Sequence, residues 1–324
     1  KKDIIVCGVP QGSILGPLLF LLYINDLYKS SEHLKYIMFA DDTNLFMCGK
    51  DLDVLFKNIN DELVKVALWF QANKLSLNVI KTKYSIFHAT GKKRNIPLVL
   101  PLLHINNLLI KRDTITKFLG ILLDENLTWK SHISYITSKI SKSIGIIYKS
   151  RNFLKKTILT QLYHSLIHSY LTYGNIAWGS SCKTNLMSLY RKQKHAIRVI
   201  NFVDKYTHSR PFFLDMKILN VFKINIYKTL SFMFKCKNKT APFIFQSIYR
   251  LKQTKYPTRF HNQVIEPPGR VTKSVKFSIS HRSPYIWNKF MATKETIPES
   301  MSYKSFRKEI KTIVLSTADI FIYF

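Results

Sequence analysis

The chain has 324 residues, 46% of them apolar, which is enough to bury a sizeable core and to fill two domains of ordinary size; a disordered tail is excluded. Lys plus Arg total 50 against 19 Asp plus Glu, a formal net charge of +31 that implies a strongly positive surface and a polyanion as its natural partner. The charge is spread along the chain among 17 Tyr, 22 Phe and 4 Trp, residue kinds suited to phosphate contacts and base stacking, so nucleic acid is the expected partner and a membrane is not.

In chain order, Gly8-Val9-Pro10-Gln11-Gly12-Ser13 is a turn-rich loop. Gly16-Pro17 follows, with Pro17 suited to the first turn of a helix, where its missing N–H costs nothing. The apolar stretch 14–24 contains that Gly and Pro and falls short of the roughly 18 residues a membrane span needs, so it is expected to be a core helix. Residues 34–39 and 43–47 are short apolar segments flanking Ala40-Asp41-Asp42, a pattern that predicts a β-hairpin with acids at its tip. Leu52, Leu55, Phe56, Ile59, Leu63, Val66, Ala67 and Phe70 recur at spacings of three and four and predict a helix packed on a sheet. Residues 75–78 and 84–87 read as extended pieces around Lys81-Thr82-Lys83, and Phe118-Leu119-Gly120-Ile121 begins another strand or a tight turn.

After Trp129 the character changes. Residues 133–148, 158–171, 185–202 and 216–234 carry helix-period apolar stripes with no alternating segment between them. From Thr240 onward, Pro242, Pro257, Pro267-Pro268 and Pro284 divide the chain into short pieces with recurring basic residues, and a looser basic module is expected. No internal repeat is present.

Cys7, Cys48, Cys182 and Cys236 form no C-x-x-C pair, which argues against a zinc knuckle or a disulfide framework and for small buried side chains in a reducing compartment, nucleus and/or cytoplasm. Only 11 of the 50 basic residues are Arg, and Ile and Asn are also frequent, so part of the charge reflects AT-rich coding. The chain opens Lys1-Lys2-Asp3 and is expected to be a fragment of something longer.

Two adjacent carboxylates at a hairpin tip repel each other unless a cation joins them, and Mg²⁺ is typically held by one or two protein carboxylates plus substrate phosphates. Successive side chains of a strand point to opposite faces, so one of the two, Asp41, is the expected main ligand. A solvated turn also accounts for an Asp-Asp pair, and the dipeptide alone does not separate the two readings.

The neighbouring motifs do more. Gly8-Val9-Pro10-Gln11-Gly12-Ser13-Ile14-Leu15-Gly16-Pro17-Leu18-Leu19-Phe20, then Tyr23-Ile24-Asn25-Asp26-Leu27, then Phe39-Ala40-Asp41-Asp42-Thr43 resemble, in order and spacing, the reverse transcriptases of jockey-like non-LTR retrotransposons. The resemblance continues through Trp69-Phe70-Gln71-Ala72-Asn73-Lys74-Leu75-Ser76-Leu77-Asn78 with Lys81-Thr82-Lys83, and through Phe118-Leu119-Gly120-Ile121-Leu122-Leu123-Asp124. It also reaches Gln193-Lys194-His195-Ala196-Ile197-Arg198 and Ser283-Pro284-Tyr285-Ile286-Trp287-Asn288, and so covers nearly the whole chain.

What the resemblance implies is an α+β fold: a partial polymerase palm over residues 1–128, built as an antiparallel sheet with packed helices, a helical thumb over 129–239 and a basic C-terminal module over 240–324. It implies an RNA-directed DNA polymerase acting on an RNA template, a DNA primer and deoxynucleoside triphosphates, with two Mg²⁺ ions, or Mn²⁺ in their place, in the intact enzyme. Asp41 and Asp42 would be catalytic and metal-binding, and Lys81 would face the incoming triphosphate. Gln11, Gly12, Phe39 and Ala40 would line the nucleotide and template pocket, while Phe118, Leu119 and Gly120 would grip the primer. Arg191, Lys192, Lys194 and Arg198 would follow the phosphates of the template–primer duplex.

Each role has a plainer counterpart: a helix-entry turn at Gly12, a solvated lysine at Lys81, core packing at Phe118 to Gly120 and a solvated helix face at 191–198. Trp287 either stacks a base or fills the core. The family's other catalytic Asp comes from a strand upstream of the Gly-Val-Pro-Gln-Gly loop, and Asp3 lies too close to that loop to be it. The fingers, the first half of the palm and the usual upstream endonuclease domain are therefore expected to be missing, and the chain is expected not to polymerise unaided. The alternatives are a catalytically inactive remnant that binds nucleic acid and a decayed copy with no role.

Overall fold

A computed structural model describes residues 12–88, 97, 99–250, 265, 278–293, 298 and 300–317. The chain divides into two compact units, Lys1–Ile86 with Arg94–Thr114 and Phe87–Lys93 with Ile115–Phe324. The boundary between Thr114 and Ile115 lies ahead of the one expected at residue 128.

In the first unit, helix α1 (Gly16–Ile24) starts with Pro17 in its first turn, and the Ser13 hydroxyl accepts from the Gly16 N–H at 3.0 Å. Strands β1 (Lys35–Phe39) and β2 (Asp42–Phe46) form an antiparallel hairpin, and α2 (Leu52–Ala72) follows, capped by the Asp51 carboxylate, which accepts from the Val54 N–H at 3.0 Å. The apolar stripe read from the sequence is the buried stripe of α2: Phe56, Leu63, Val66, Ala67 and Phe70 face inward. The remaining strands are short. β3 (Lys83–Tyr84) pairs in parallel with β6 (Lys111–Arg112), and β4 (His104–Ile105) pairs with β5 (Leu108–Leu109). The Asn60 side chain ties α2 to this part, donating to the Leu102 carbonyl at 2.9 Å and accepting from the His104 N–H at 3.0 Å. Residues 75–78, read as an extended piece, pair with no strand; Leu75 and Leu77 serve the core instead.

One expectation fails in this unit. α1 is not a core helix: Ile24 alone is buried, and Leu18, Leu19, Leu21, Leu22 and Tyr23 are exposed. A helix apolar on all sides needs neighbours on all sides, and the hairpin and α2 cover only the stripe that carries Phe20 and Ile24.

The second unit begins with the hairpin of β7 (Ile115–Phe118) and β8 (Ile121–Asp124) and is helical thereafter. Its helices are α3 (Lys130–Ser150), α4 (Lys156–Tyr163), α5 (Ser169–Thr172), α6 (Asn175–Trp178), α7 (Lys183–Ile200), α8 (Arg210–Asp215), α9 (Val221–Lys237), α10 (Phe243–Gln246), α11 (Ile279–Thr293) and α12 (Tyr303–Ser316). A π-helical turn, His164–His168, joins α4 to α5. Asp124 connects hairpin to helix: its carboxylate accepts from the Thr128 and Trp129 N–H groups, both at 2.9 Å, at the start of α3.

One continuous core unites these helices. Ile140 and Ile147 of α3, Leu159 and Tyr163 of α4, Leu189 and Ile197 of α7 and Leu230 and Met233 of α9 have no solvent contact. Each aliphatic side chain so buried contributes roughly 1.5–3 kcal/mol. From the stretch expected to be a looser module, Trp287 and Phe290 of α11 and Phe306 and Ile310 of α12 join this same core. Trp287 is 1% exposed and fills the core rather than presenting a face to a base. Pro284 does not break the chain; it sits inside α11, and the Ser283 hydroxyl donates to the Ile279 carbonyl at 2.5 Å one turn back. Pro257, Pro267 and Pro268 lie outside the described residues. Of the cysteines, Cys236 is buried as expected while Cys48 and Cys182 are exposed; Cys7 lies outside the described residues.

Candidate functional site

The two acids sit where the first hairpin turns. Phe39 pairs with Asp42, leaving Ala40 and Asp41 as a two-residue loop in which Ala40 takes φ +51°. The strand period divides the hairpin into two faces. Tyr36, Met38 and Leu45 face the core with Ile24, Val66 and Phe70, and so hold the turn on a packed base. Phe39 and Asp42 form the last pair of the other face, with Ile37 and Asn44 behind them, and Phe39 is 61% exposed. Asp41 and Asp42 are both exposed, and neither carboxylate has a hydrogen-bond or ion-pair partner among the described residues.

Lys81 stands on a second turn of the same unit. The Asn78 side chain accepts from the Lys81 N–H at 3.2 Å, and the Asn78 carbonyl accepts from the Thr82 N–H at 3.1 Å and the Thr82 hydroxyl at 3.0 Å. Val79 is buried and pins this turn from below, while the Lys81 side chain is exposed. Leu77, the residue before Asn78, shares its core with Leu45 of the acid hairpin, so both turns are built on one packed framework. Gly12 is exposed at φ +88° with open space where a Cβ would stand; the backbone conformation, not crowding, demands glycine. Gln11 lies outside the described residues. A cavity of about 600 Å³, lined by His33, Lys35, Phe46, Cys48, Glu62 and Lys65, opens at the other end of the hairpin, beside the Lys35–Phe46 pair. It does not include the acids.

Phe118, Leu119 and Gly120 belong to the second unit. Phe118 pairs with Ile121, and Leu119 and Gly120 form the loop with φ +45° and +81°, positive at both positions as a tight primed turn requires. Tyr173 reaches this loop from the end of α5: its hydroxyl donates to the Leu119 carbonyl at 2.5 Å, and its ring lies 3.6 Å from where a Gly120 Cβ would stand. Gly174 beside it, at φ +56°, leaves room for Ile121, whose Cδ1 a Cβ would meet at 2.3 Å.

On α7 the family-like segment splits by face. Arg191 is exposed and Lys192 and Lys194 are half-buried, with the Lys194 ammonium 4.7 Å from the Tyr190 ring centroid. Arg198 is partly engaged, its Nε donating to the Thr207 carbonyl at 2.7 Å. Gln193 points inward and has no solvent contact. Its amide donates to the Tyr163 hydroxyl at 2.8 Å and the Leu219 carbonyl at 2.9 Å, and its oxygen accepts from the Val221 N–H at 2.9 Å.

Residues 2–123 match the family described as reverse transcriptase (RNA-dependent DNA polymerase). This part of the chain is a reverse transcriptase domain. The chain is homologous to curated proteins of mobile elements. It is 26% identical over 225 residues, 67% of the chain, to the probable RNA-directed DNA polymerase from transposon X-element of Drosophila melanogaster. It is 26% identical over 226 residues, 66% of the chain, to the RNA-directed DNA polymerase from mobile element jockey of the same species, and 25% identical over 226 residues to the probable enzyme from transposon BS. The aligned part spans about 24% of each relative's length. Because the alignments are longer than the reverse transcriptase domain, similarity continues into the helical unit. No solved structure matches the chain.

Within the reverse transcriptase domain, Asp41 and Asp42 offer adjacent, unengaged carboxylate oxygens, the hard donors that Mg²⁺ takes. The pair fits an ion whose other ligands are substrate phosphates; among the described residues no group of three or more His, Cys, Asp or Glu is assembled as a full protein cage. No helix of the described residues is long and apolar enough to cross a membrane. Two contributions escaped the sequence reading. Tyr173-Gly174 stands 54 residues from the loop it contacts, and a lone Gly ending a helical stripe was its only local sign. Gln193 was read as part of a charged segment although it is a core cross-link.

Proposed function

We propose that the chain is part of an RNA-directed DNA polymerase of a mobile element, with residues 1–128 as part of the palm, 129–239 as a helical thumb, 240–324 as a basic C-terminal module, and the acid hairpin as the place of nucleotidyl transfer. The observation that carries this reading is the hairpin itself: Asp41 lies in the two-residue loop and Asp42 at the first pair, both unengaged, on a base locked by Tyr36, Met38 and Leu45. Mg²⁺, or Mn²⁺, held there supplies charge neutralisation on the triphosphate and lowers the pKa of the attacking primer hydroxyl. Lys81 directs an ammonium at the triphosphate from its Asn78-built turn, where positive charge stabilises the leaving pyrophosphate. Gln11 and Gly12 take the nucleotide- and template-binding role, together with Phe39 and Ala40. The loop Phe118-Leu119-Gly120 keeps the primer end in register, and Arg191, Lys192, Lys194 and Arg198 follow the duplex phosphates.

Two-ion transfer requires more carboxylates than this pair. With this pair alone, the chain binds template–primer and nucleotide without extending the primer unaided. The protein acts in the nucleus and/or cytoplasm. The test is Mn²⁺ binding followed by electron paramagnetic resonance with template–primer and a matching deoxynucleoside triphosphate present. Asp41→Asn is expected to lose bound Mn²⁺ while retaining the nucleic acid; equal Mn²⁺ binding by both proteins overturns the assignment. Primer extension on an RNA template is expected to give no product with this chain alone, and synthesis that disappears in Asp41→Ala would show the pair to be sufficient.

A further inference from the structure

The second unit carries a row of cations that none of the family-like motifs contains. α9 and α12 pack antiparallel: the Tyr227 hydroxyl accepts from Arg307 Nε at 2.7 Å, and the Lys223 ammonium donates to the Leu315 and Thr317 carbonyls, both at 2.9 Å, near the other end of α12. Along the seam the Lys235 ammonium lies 4.9 Å from the Tyr303 ring centroid, and the Arg307 guanidinium lies 5.5 Å from Tyr303 and 5.6 Å from Tyr227. Lys228 follows Tyr227, and Lys311 lies one turn beyond Arg307 on the same side of α12. The row ends at His164 and His168 of the π-helical turn, whose rings meet edge to face with centroids 5.2 Å apart.

We propose that this seam between α9 and α12 is a phosphodiester-binding track, separate from the α7 face, that takes the backbone of a nucleic-acid strand through Lys235, Arg307, Lys228 and Lys311.

Three features support it. First, the charge is of one sign. α9 and the stretch 156–172 contain no carboxylate, and the one on α12, Glu309, is two residues from both Arg307 and Lys311 and so lies about 200° around the helix from each. The cations act on one another: Lys228 is held below the usual lysine range by burial and then by Arg307, and His168 is pushed down to about 4 by burial, then by His164, Lys311 and Lys228. An anion in the seam relieves that repulsion. Second, the shape is linear. From Tyr303 to Lys311 the row covers about 12 Å of helix, the axial length of three to four nucleotide steps, which suits a repeating polyanion better than a single small ion. Third, the row is pre-arranged. Tyr227 and Tyr303 hold the Arg307 fork from two sides, and Phe306, the buried neighbour of Arg307 on α12, stacks on Phe234 with centroids 4.1 Å apart, so the cations stand on a packed base. Lysine-rich composition scatters lysines; it does not place an arginine between two tyrosines from different helices.

The test uses the full 324-residue chain and a labelled single-stranded RNA, with affinity measured by anisotropy across a salt series. Each phosphate contact contributes about 0.7 to the slope of log affinity against log salt for single strands, so Lys228→Gln/Arg307→Gln/Lys311→Gln is expected to make the slope shallower by about 2. The same triple substitution at Arg191, Lys192 and Lys194 reports on the α7 face, and its loss is expected to add to the first. Lys311→Gln alone, at an exposed position that leaves the Arg307–Tyr227 contact intact, is expected to lower the slope by about 0.7 and guards against a misfolded triple variant. An unchanged slope in Lys311→Gln and in a folded triple variant overturns the proposal. So does loss of binding to anionic phospholipid vesicles with RNA binding unaltered. Neither outcome depends on whether Asp41 and Asp42 hold an ion.

Discussion

The Tyr173 hydroxyl donates to the Leu119 carbonyl at 2.5 Å, so a side chain at the end of α5 holds the main chain of a hairpin loop 54 residues earlier. Leu119 adopts φ +45°, a conformation that costs a residue with a Cβ roughly 1–2 kcal/mol, and it persists because its surroundings hold it. Tyr173→Phe is expected to destabilise the protein by about 0.5–1 kcal/mol in urea unfolding, the net worth of one partly exposed hydrogen bond. Gly174→Ala is expected to cost roughly 1–3 kcal/mol, because the new Cβ meets Ile121 Cδ1 at 2.3 Å. Adding Ile121→Val removes that atom and is expected to recover part of the loss; no recovery would show that φ, not crowding, sets the cost.

The loop of the acid hairpin is strained in the same way. Ala40 takes φ +51° next to Asp41. Ala40→Gly relieves the Cβ penalty at some cost in unfolded-state entropy and is expected to raise stability by about 0.5 kcal/mol, whereas Ala40→Val is expected to lower it by about 1 kcal/mol or more. Thermal unfolding of the three proteins gives the order; a Gly variant no more stable than wild type would show that the loop carries no strain.

Gln193 satisfies a side-chain hydroxyl, a carbonyl and an N–H inside the helical core. Gln193→Leu orphans all three and is expected to cost roughly 3 kcal/mol or more. Lys192→Gln, one residue away on the outer face, is expected to change stability by less than about 0.5 kcal/mol. Chemical denaturation of the pair separates core from surface within a single segment.

His168 gives the protein an acid-sensitive core. Burial, then the positive charge of His164, Lys311 and Lys228, lowers its pKa from 6.5 to about 4. Above pH 6.5 the imidazole is neutral in both states and contributes no pH dependence. As pH falls from 6.5 towards 4 the unfolded chain takes up a proton that the folded protein refuses, so stability is lost across that window, up to roughly 3 kcal/mol. His168→Phe is expected to flatten the stability profile between pH 7 and 4.5; an equally steep profile would assign the loss to other groups.

Local periodicity made much of this fold legible in advance. The short apolar segments flanking Ala40-Asp41-Asp42 predicted the acid hairpin, and the three-and-four spacing from Leu52 to Phe70 predicted both α2 and its buried stripe. Period is a property of the chain's own backbone geometry and is written in neighbouring residues. The order of the Gly-Val-Pro-Gln-Gly, Phe-Ala-Asp-Asp and Phe-Leu-Gly segments likewise points to a reverse transcriptase from the sequence alone.

What arrives from far along the chain was not legible. Gln193 and Lys194 are adjacent polar residues of one helix, and only the approach of Tyr163, Leu219 and Val221 made Gln193 a core cross-link. Pro284 lies within α11, contrary to its local signal, in a helix whose Trp287 and Phe290 pack with Phe306 in the core. An apolar run made α1 a helix but did not determine what would cover it. Arg307 finds Tyr227 across 80 residues. Helix and strand follow from short-range geometry, whereas burial and pairing depend on which surfaces tertiary packing brings within a few ångströms of each other.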